Sequence, residues 1–478
     1  MRKKKGWPYS FYRMHKKISF ISLVLLIVAS IDSIRNLPTA ALFGANLIFF
    51  FLLAAIIFLF PASLAAAELS AMFPEEGGIY HWVTKAFNEK IGMLAIWLQW
   101  INTMVWYPTI LSFIAATFAY LICPELANNK FYLVGFVLVL FWGLTLINLL
   151  GLHASTKING YCALFGTVFP LTLIIALTAL WVYQGNPLQI SFSLDKIIPS
   201  LDSPNHWVSL VAIMASFLGI ELAGVHVDSI KNPQKNFPRA LFVSCLFILF
   251  SMLFGSLAIA LVIPVKEINL VAGIMQVFTT FFSFFGMTWA IPILTLLIVL
   301  GTTGSIINWL ISPAKGLLHA SKYGFLPPFF AKVNRYGVAY RILIAQALLV
   351  SLFCLLVFLV PTVNAFYWFL TTLSTELYMI MYVLMFAALL RIRYKYKHPL
   401  KTFRIPGKQL GVWSVGLLGL FGSLLTIFVG FFPPSHIEIA SPLKYATMIG
   451  AGNLLMIAPV YLFYLYKSHT QTIKLHKK

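Results

Sequence analysis

IVASIDSIRNLPTAALFG is the sequence of residues 27–44 in this chain of 478 residues, and ASFLGIELAGV is that of residues 215–225. In both stretches small or polar residues interrupt a long apolar run, with Pro38 in the first and Gly219 in the second. Proline lacks an amide donor, and glycine weakens a helix. Since lipid offers no hydrogen bonds, backbone groups freed at a break must be satisfied by a cavity or a ligand. Either stretch alone fits a simple kink, but together they predict a site between two broken helices.

The composition places these breaks in a membrane. Apolar residues make up 60% of the chain and charged residues 10%, whereas soluble domains have roughly 25% charged residues. A membrane-spanning helix needs roughly 20 mostly apolar residues. This composition excludes a soluble enzyme, a disordered protein and a secreted disulfide scaffold. The formal net charge of +21 lies in the short segments between apolar runs, which favours contact with membrane lipid over binding of nucleic acid.

The apolar runs predict an all-α polytopic membrane protein with twelve transmembrane helices. Residues 267–287 are also apolar, but they lie between two better runs and are expected to form extra loop helices or a re-entrant segment. The predicted spans are 19–43, 45–71, 91–123, 131–151, 160–184, 207–228, 240–264, 288–313, 341–360, 364–390, 410–432 and 443–466.

The distribution of basic residues tests this count, because lysine and arginine resist translocation. When the N-terminus and every second loop are placed in the cytoplasm, 29 of the 34 Lys and Arg residues lie on the cytoplasmic side. Adding or removing one span scrambles this segregation. The sequence therefore predicts cytoplasmic tails at 1–18 and 467–478, with Arg35 inside a span.

The two interrupted stretches fall in the first and sixth predicted spans. Their separation by five helices suits two inverted five-helix repeats at 19–184 and 207–390, followed by a terminal pair at 410–466. Broken helices at matching places in two repeats indicate the midplane site of a transporter. Half-helix N-termini would attract a carboxylate there, while freed carbonyls or Asp32 would receive an ammonium group. This constellation predicts a site for a small zwitterion.

Of the 13 acidic residues, nine fall in loops or at span ends, and the other four are Asp32, Glu68, Glu221 and Glu376. Charged side chains in hydrocarbon are costly and usually face a cavity or a pathway. Asp32 and Glu221 stand in the two interrupted stretches. Glu68 is near the cytoplasmic end of its span, where partial exposure to water is the simplest explanation. Glu376 lies among hydroxyl side chains and is either a hydrogen-bonded packing residue or a functional one.

Four segments, taken in order along the chain, carry a specific resemblance to a known family. FLGIELAGVHVDSIKNPQKNFPRAL (217–241) resembles the F-x-G-x-E substrate motif and the basic N-P-x-x-x-x-P-R loop of that family. EEGGIYHWVTKAF (75–87), INWLISPAKGLLHASKYGFLP (307–327) and FRIPG (403–407) resemble two of its loops and its eighth span. Over nearly its whole length the chain resembles the amino acid–polyamine–organocation superfamily of transporters.

Within that superfamily, SIRNLP (33–38) and GIELAGVHVDSIKNPQ (219–234) resemble the bacterial glutamate:γ-aminobutyrate antiporter family more than other branches. That family usually has a glycine-rich G-S-G break in the first span, where this chain has Ile-Asp-Ser at 31–33. The added acid disfavours an anionic substrate such as glutamate, unless Arg35 neutralises Asp32 or Asp32 is protonated.

The resemblance also implies which residues line the substrate site. Phe217 is expected to gate the site, and the region of Glu221 to bind or transmit protons. Asn308 and Trp309 are weaker candidates, because packing explains them equally well. The residues expected to contact substrate are Ser30, Ile31, Asp32, Ser33, Ser216, Phe217, Gly219 and Glu221.

The function implied by the resemblance is secondary active transport of amino acids by alternating access in the bacterial cytoplasmic membrane. Exchange of one amino acid or amine for another is the first hypothesis. The alternative is a proton-coupled symporter, in which Asp32, Glu221 or Glu376 carries the proton. A sensor that binds amino acids without moving them is the third hypothesis, and the short tails argue against it.

Motifs of other classes are missing from the sequence. It contains no nucleotide-binding G-x-x-x-x-G-K-[ST], no H-E-x-x-H and no G-x-S-x-G motif, so an ion or solute gradient is expected to supply the energy and no enzyme is expected. Glu221, His226 and Asp228 have a spacing that suits a metal ion poorly. The expected partners are therefore small amino acids or amines and membrane lipid, with no cofactor and no metal.

Overall fold

A computed structural model gives the architecture of the chain. The predicted tail at 1–18 and parts of the motif segments 75–87 and 217–241, including His226 and Asp228, lie outside the described residues. The structure describes residues 19–73, 78–151, 161–162, 164–200, 207–222, 230, 232–321, 324–396, 403–435, 437 and 441–476.

Ten helices of the described residues are long and apolar enough to cross a membrane. The protein is therefore an all-helical, multi-span membrane protein. These helices are Asn46–Met72, Glu89–Ala119, Lys130–Leu149, Leu164–Tyr183, Lys235–Val262, Ala290–Leu318, Tyr340–Leu359, Val363–Lys395, Lys408–Gly430 and Pro442–Lys467.

Shorter helices join or interrupt these spans. Gly273–Phe284 falls within the apolar stretch 267–287 and has 12 residues, fewer than a membrane-spanning helix needs. That it forms a loop helix or a re-entrant segment stays a prediction. The other short α-helices are Phe20–Ile31, Leu37–Ala41, Gly78–Ala86, Leu194–Ile197 and Ser209–Ala215.

Side-chain caps define where the two central helices begin. The Asn88 Oδ1 atom accepts the Ile91 N–H at 3.0 Å before Glu89–Ala119. The Thr362 hydroxyl accepts the Ala365 N–H at 3.1 Å before Val363–Lys395. Such caps satisfy backbone donors that have no partner within the first turn. These two helices pack against each other.

Large apolar side chains cover the outer surface of the helices. Phe131 is 79% exposed, Val139 78% and Leu410 81%. Such exposed apolar side chains match the acyl chains of a bilayer. The exposed surface thus agrees with the composition in placing the helices in lipid.

Two glycines let two spans touch at their backbones. A Cβ atom added to Gly301 in Ala290–Leu318 would lie 2.3 Å from the Cα atom of Gly166 in Leu164–Tyr183. Small residues allow such close approach in membranes, where packing and hydrogen bonds replace the hydrophobic effect as the force between helices. This contact holds Leu164–Tyr183 against the helix that carries Trp309.

The expectation of a partly exposed Glu68 is wrong, because the side chain is 0% exposed. Its Oε1 atom accepts a hydrogen bond from Arg393 Nη1 at 2.9 Å, in a salt bridge. Its Oε2 atom accepts the Ile405 N–H at 2.7 Å. The segment that follows Val363–Lys395 in the sequence thus folds back over the end of Asn46–Met72 and covers the carboxylate.

Candidate functional site

A polar cavity of about 90 Å³ lies in the interior of the molecule. Residues from both interrupted stretches line it, together with residues of Glu89–Ala119, Ala290–Leu318 and Val363–Lys395. Its polar lining residues are Asp32, Ser33, Arg35, Asn36, Asn102, Thr103, Thr167, Thr302, Thr371, Ser374, Thr375 and Tyr378.

The first interrupted stretch is a true helix break, which we name the Asp32 break and define as residues 32–36. Phe20–Ile31 ends where Asp32 and Ser33 adopt extended backbone angles. A short 3-10 turn follows at Ile34–Asn36, and helix resumes at Leu37 with Pro38 in its first turn. Proline is tolerated there because the first-turn amides have no partner in the helix.

Asp32 is buried at the edge of the cavity and only partly satisfied. Its side chain is 4% exposed. The Oδ2 atom accepts a hydrogen bond from the Ser251 hydroxyl at 2.9 Å. The Oδ1 atom has no hydrogen-bond partner among the described residues. A buried carboxylate oxygen left without a donor is costly, so this atom is suited to a ligand.

Arg35 lines the same cavity and is held by aromatic and hydroxyl groups. Its Nη1 atom donates to the Thr109 hydroxyl at 2.8 Å and to the Tyr367 hydroxyl at 3.2 Å. Tyr367 in turn donates to the Arg35 carbonyl at 3.1 Å. The guanidinium also lies 5.0 Å from the ring centroid of Trp106. The salt bridges between described residues do not include Arg35 or Asp32.

The second interrupted stretch, residues 216–222, is the Gly219 break. Ser209–Ala215 ends at Ser216, and the chain turns through Gly219 at a φ of +98°. This left-handed region favours glycine because a Cβ atom would clash with the backbone. The freed Gly219 N–H donates to the Tyr382 hydroxyl at 3.0 Å. Backbone released by the break thus finds a side-chain partner inside the protein.

Glu221 lies behind the cavity rather than on its surface, and its side chain is buried. The hydroxyls of Tyr378 and Tyr382 donate to its two carboxylate oxygens. Gln99 Nε2 adds a hydrogen bond of 2.9 Å. These donors join the Gly219 break to both central helices. Of the two tyrosines, Tyr378 also lines the cavity.

The structure brings together some of the residues expected to contact substrate. Ile31, Asp32, Ser33 and Gly219 line the cavity. The side chain of Ser30 lies outside the described part of the structure. The residues placed behind the cavity lining are Ser216, Phe217 and Glu221.

The residues behind the lining have packing partners of their own. The Ser216 hydroxyl donates to the Ala212 carbonyl at 3.2 Å. The ring of Phe217 contacts that of Phe51, with 5.8 Å between centroids. Both side chains are therefore engaged within the protein in this conformation.

Several lining residues on the central helices were not predicted from the sequence. Asn102, Thr103 and Trp106 line the cavity from Glu89–Ala119, and Ser374 from Val363–Lys395. The only available signal was a polar residue in an otherwise apolar run, as in the hydroxyl-rich TTLSTELY around Glu376. Trp309, a weaker candidate, lines the cavity and lies 5.6 Å from Trp106 between ring centroids.

Glu376 occupies a separate site outside the cavity lining. The Asn453 amide donates to its Oε2 atom, and its Oε1 atom has no partner among the described residues. A Cβ atom added to Gly430 would lie 2.2 Å from that free oxygen. Within the described part of the chain, no group of three His, Cys, Asp or Glu side chains is placed to hold a metal ion.

A polar cavity between two helix breaks, inside a multi-span helical protein, is the architecture of a membrane transporter. Residues 18–453 match the family model described as amino acid permease. The chain therefore belongs to the amino acid permease family, and it is a transporter rather than an enzyme.

Individual relatives extend this assignment. An uncharacterized transporter of Legionella pneumophila is 37% identical over 448 residues, which cover 94% of this chain and 96% of that protein. A glutamate/γ-aminobutyrate antiporter of Lactococcus lactis is 28% identical, covering 88% of this chain and 85% of its own. A "probable agmatine/putrescine antiporter" of the same species is 24% identical, covering 90% of this chain and 89% of its own. The resemblance to glutamate:γ-aminobutyrate antiporters is thus confirmed.

Proposed function

We propose that this protein is an antiporter that exchanges amino acids or related amines across a bacterial inner membrane by alternating access. The observation that carries the proposal is the polar cavity lined by both the Asp32 break and the Gly219 break. Helix breaks free backbone groups that lipid cannot satisfy, so a cavity between them is suited to a small polar solute. Membership of the amino acid permease family supplies the solute class.

The proposed architecture has twelve spans, formed by the ten long helices and the two broken ones. The first repeat comprises 19–184 and the second, of inverted topology, 207–390, with the terminal pair at 410–466. The breaks support this division because they occur five helices apart, at corresponding places. Rocking of one helix bundle against the other would then open the cavity to each side of the membrane in turn.

Each substrate-site residue has a proposed part in this mechanism. Ile31, Asp32, Ser33 and Gly219 contact the substrate, since they line the cavity. Ser30 belongs to the same stretch of chain. Movement of the Gly219 break during transport brings the neighbouring residues to the substrate or into the gate. These neighbours are Ser216, Phe217 and Glu221.

Exchange, rather than uptake by symport, is supported by two relatives that are named as antiporters. The orientation with both termini in the cytoplasm is supported by the segregation of lysine and arginine. Fusion of a fluorescent or a phosphatase reporter after residue 478 tests the orientation. Fluorescence supports the proposal, and phosphatase activity contradicts it.

Transport in proteoliposomes tests the proposed exchange directly. The full chain is reconstituted, and uptake of radiolabelled alanine, γ-aminobutyrate, glutamate and putrescine is measured into vesicles that are empty or preloaded with each unlabelled compound. Protein-free vesicles are the control. We expect uptake only into preloaded vesicles. Uptake into empty vesicles under an inward proton gradient contradicts exchange in favour of symport. Saturable binding without accumulation in any vesicle contradicts transport and favours the sensor.

A further inference from the structure

Only two charged side chains occur among the described residues that line the cavity, and they have opposite signs. They are Asp32 and Arg35. The remaining lining side chains are hydroxyl, amide, aromatic or aliphatic groups. Glu221, the nearest further acid along either break, is outside the lining and is held by tyrosines and Gln99. The formal charge of the lining is therefore zero when Asp32 is ionised.

The two charges do not neutralise each other through contact. Asp32 receives one hydrogen bond, from Ser251, and its Oδ1 atom has no donor within the described structure. Arg35 is held by Thr109 and Tyr367 and forms no salt bridge with Asp32. Each charge therefore lacks an oppositely charged partner. Burying an ion without such a partner costs free energy.

Arg35 is held at the cavity by buried hydrogen-bond partners, Thr109 and Tyr367. The hydrogen bonds with Tyr367 run in both directions, from Nη1 to the hydroxyl and from the hydroxyl to the Arg35 carbonyl. The ring of Trp106 covers the guanidinium. The Nε atom has no partner among the described residues. A guanidinium held in this way is suited to pairing with a carboxylate.

We propose that Asp32 and Arg35 select substrates of zero net charge, with the substrate ammonium on Asp32 and its carboxylate at Arg35. This inference rests on the proposed transport function and names its substrate class, the small neutral zwitterions. A dicarboxylate such as glutamate brings one negative charge too many into the cavity. A diamine such as putrescine brings two positive charges in addition to that of Arg35, and Asp32 alone cannot balance them.

Charge-changing variants of the full chain in proteoliposomes test this selectivity. Vesicles are preloaded with the same compound that is offered outside, in turn alanine, γ-aminobutyrate, glutamate and putrescine. For the wild type we expect exchange of the two neutral zwitterions at least about tenfold faster than that of glutamate or putrescine, which corresponds to about 1.4 kcal/mol.

Removing the charge of Asp32 and removing that of Arg35 should shift the substrate preference in opposite directions. In Asp32→Asn the lining is positive, and we expect the rate of glutamate relative to alanine to rise about tenfold or more. In Arg35→Gln the lining is negative, and the rate of putrescine relative to alanine should rise. Arg35→Lys keeps the charge and should keep the wild-type order. Size-exclusion chromatography in detergent checks the folding of each variant.

Matched control variants remove the same kind of charge at exposed positions. Asp195→Asn and Arg335→Gln alter exposed side chains outside the cavity lining, and the wild-type order is expected in both. An unchanged substrate order in folded Asp32→Asn overturns the inference while leaving the transport function intact. Wild-type exchange of glutamate as fast as alanine also overturns it. Failure of the wild type to exchange any of the four compounds instead contradicts the proposed function.

Discussion

The hydroxyl of Tyr382 donates a hydrogen bond to the carboxylate of Glu221, although 161 positions separate the two residues. The same hydroxyl accepts the Gly219 N–H. One tyrosine on Val363–Lys395 therefore ties together the backbone freed at the Gly219 break and the acid that follows it. Because a break in a membrane helix must satisfy its own polar groups, this contact is a structural condition for the break.

Substitution Tyr382→Phe should destabilise the protein. The change removes one donor from Glu221 and one acceptor from Gly219, and buried groups left without a partner cost about 1–3 kcal/mol each. We expect a lower midpoint of thermal unfolding for the detergent-purified variant. Tyr461→Phe is the matched control, because Tyr461 is 63% exposed. Equal midpoints for both variants would show that the Tyr382 contacts do not stabilise the break.

The salt bridge between Glu68 and Arg393 should contribute strongly to stability. Loss of one partner of a fully buried pair leaves an uncompensated charge and costs about 3–5 kcal/mol. The cost should be smaller here, because the Arg393 side chain is 14% exposed. We expect Glu68→Gln to lower the thermal midpoint, whereas Glu125→Gln, at an exposed acid, should not. In the double variant with Arg393→Gln the losses should be less than additive. Additive losses would mean that the two side chains act independently.

The contact between Gly166 and Gly301 should tolerate no added methyl group. A Cβ atom on Gly301 would meet backbone, which cannot move aside as a flexible side chain can, and overpacking typically costs about 1–3 kcal/mol. We expect Gly301→Ala to reduce stability in detergent. Gly135→Ala is the control, since nothing lies within 4 Å of its added Cβ. A wild-type midpoint for Gly301→Ala would indicate that the helices can separate without loss.

Glu376 is the proton-coupling candidate that lies in a separate site outside the cavity lining, and a substitution there tests whether it carries a proton. Glu376→Gln keeps the shape and can still accept the Asn453 amide, but it cannot carry a proton. We expect alanine exchange to continue in this variant when the pH is equal on both sides. Any stimulation of wild-type uptake by an inward proton gradient should disappear. If the variant keeps that stimulation, Glu376 is not the proton carrier.

Residues of the site differ in how far the sequence predicts them. Asp32 and Gly219 stand out because an acid or a glycine interrupts an apolar run, and both line the cavity. Asn102, Thr103 and Ser374 carry only the weak signal of a polar residue in an apolar run, since single amides and hydroxyls are common in membrane helices. The structure places them at the cavity because their helices pack around the two breaks. Burial of Glu68 was also missed, because its cover comes from Ile405, 337 positions away.

The sequence by itself determined the membrane class, the positions of the ten long helices and the places where helices break, because these depend on local composition. A long run of apolar residues favours a helix within lipid. A proline, glycine or charged residue inside such a run interrupts that helix, whatever the position of the run in the chain. Only the tertiary structure decided the partners of each polar group. Arg35 meets Tyr367 across 332 positions, and Asp32 meets Ser251 across 219. Such pairs arise from the packing of helices that are distant in the chain, and no local pattern specifies which helix faces which.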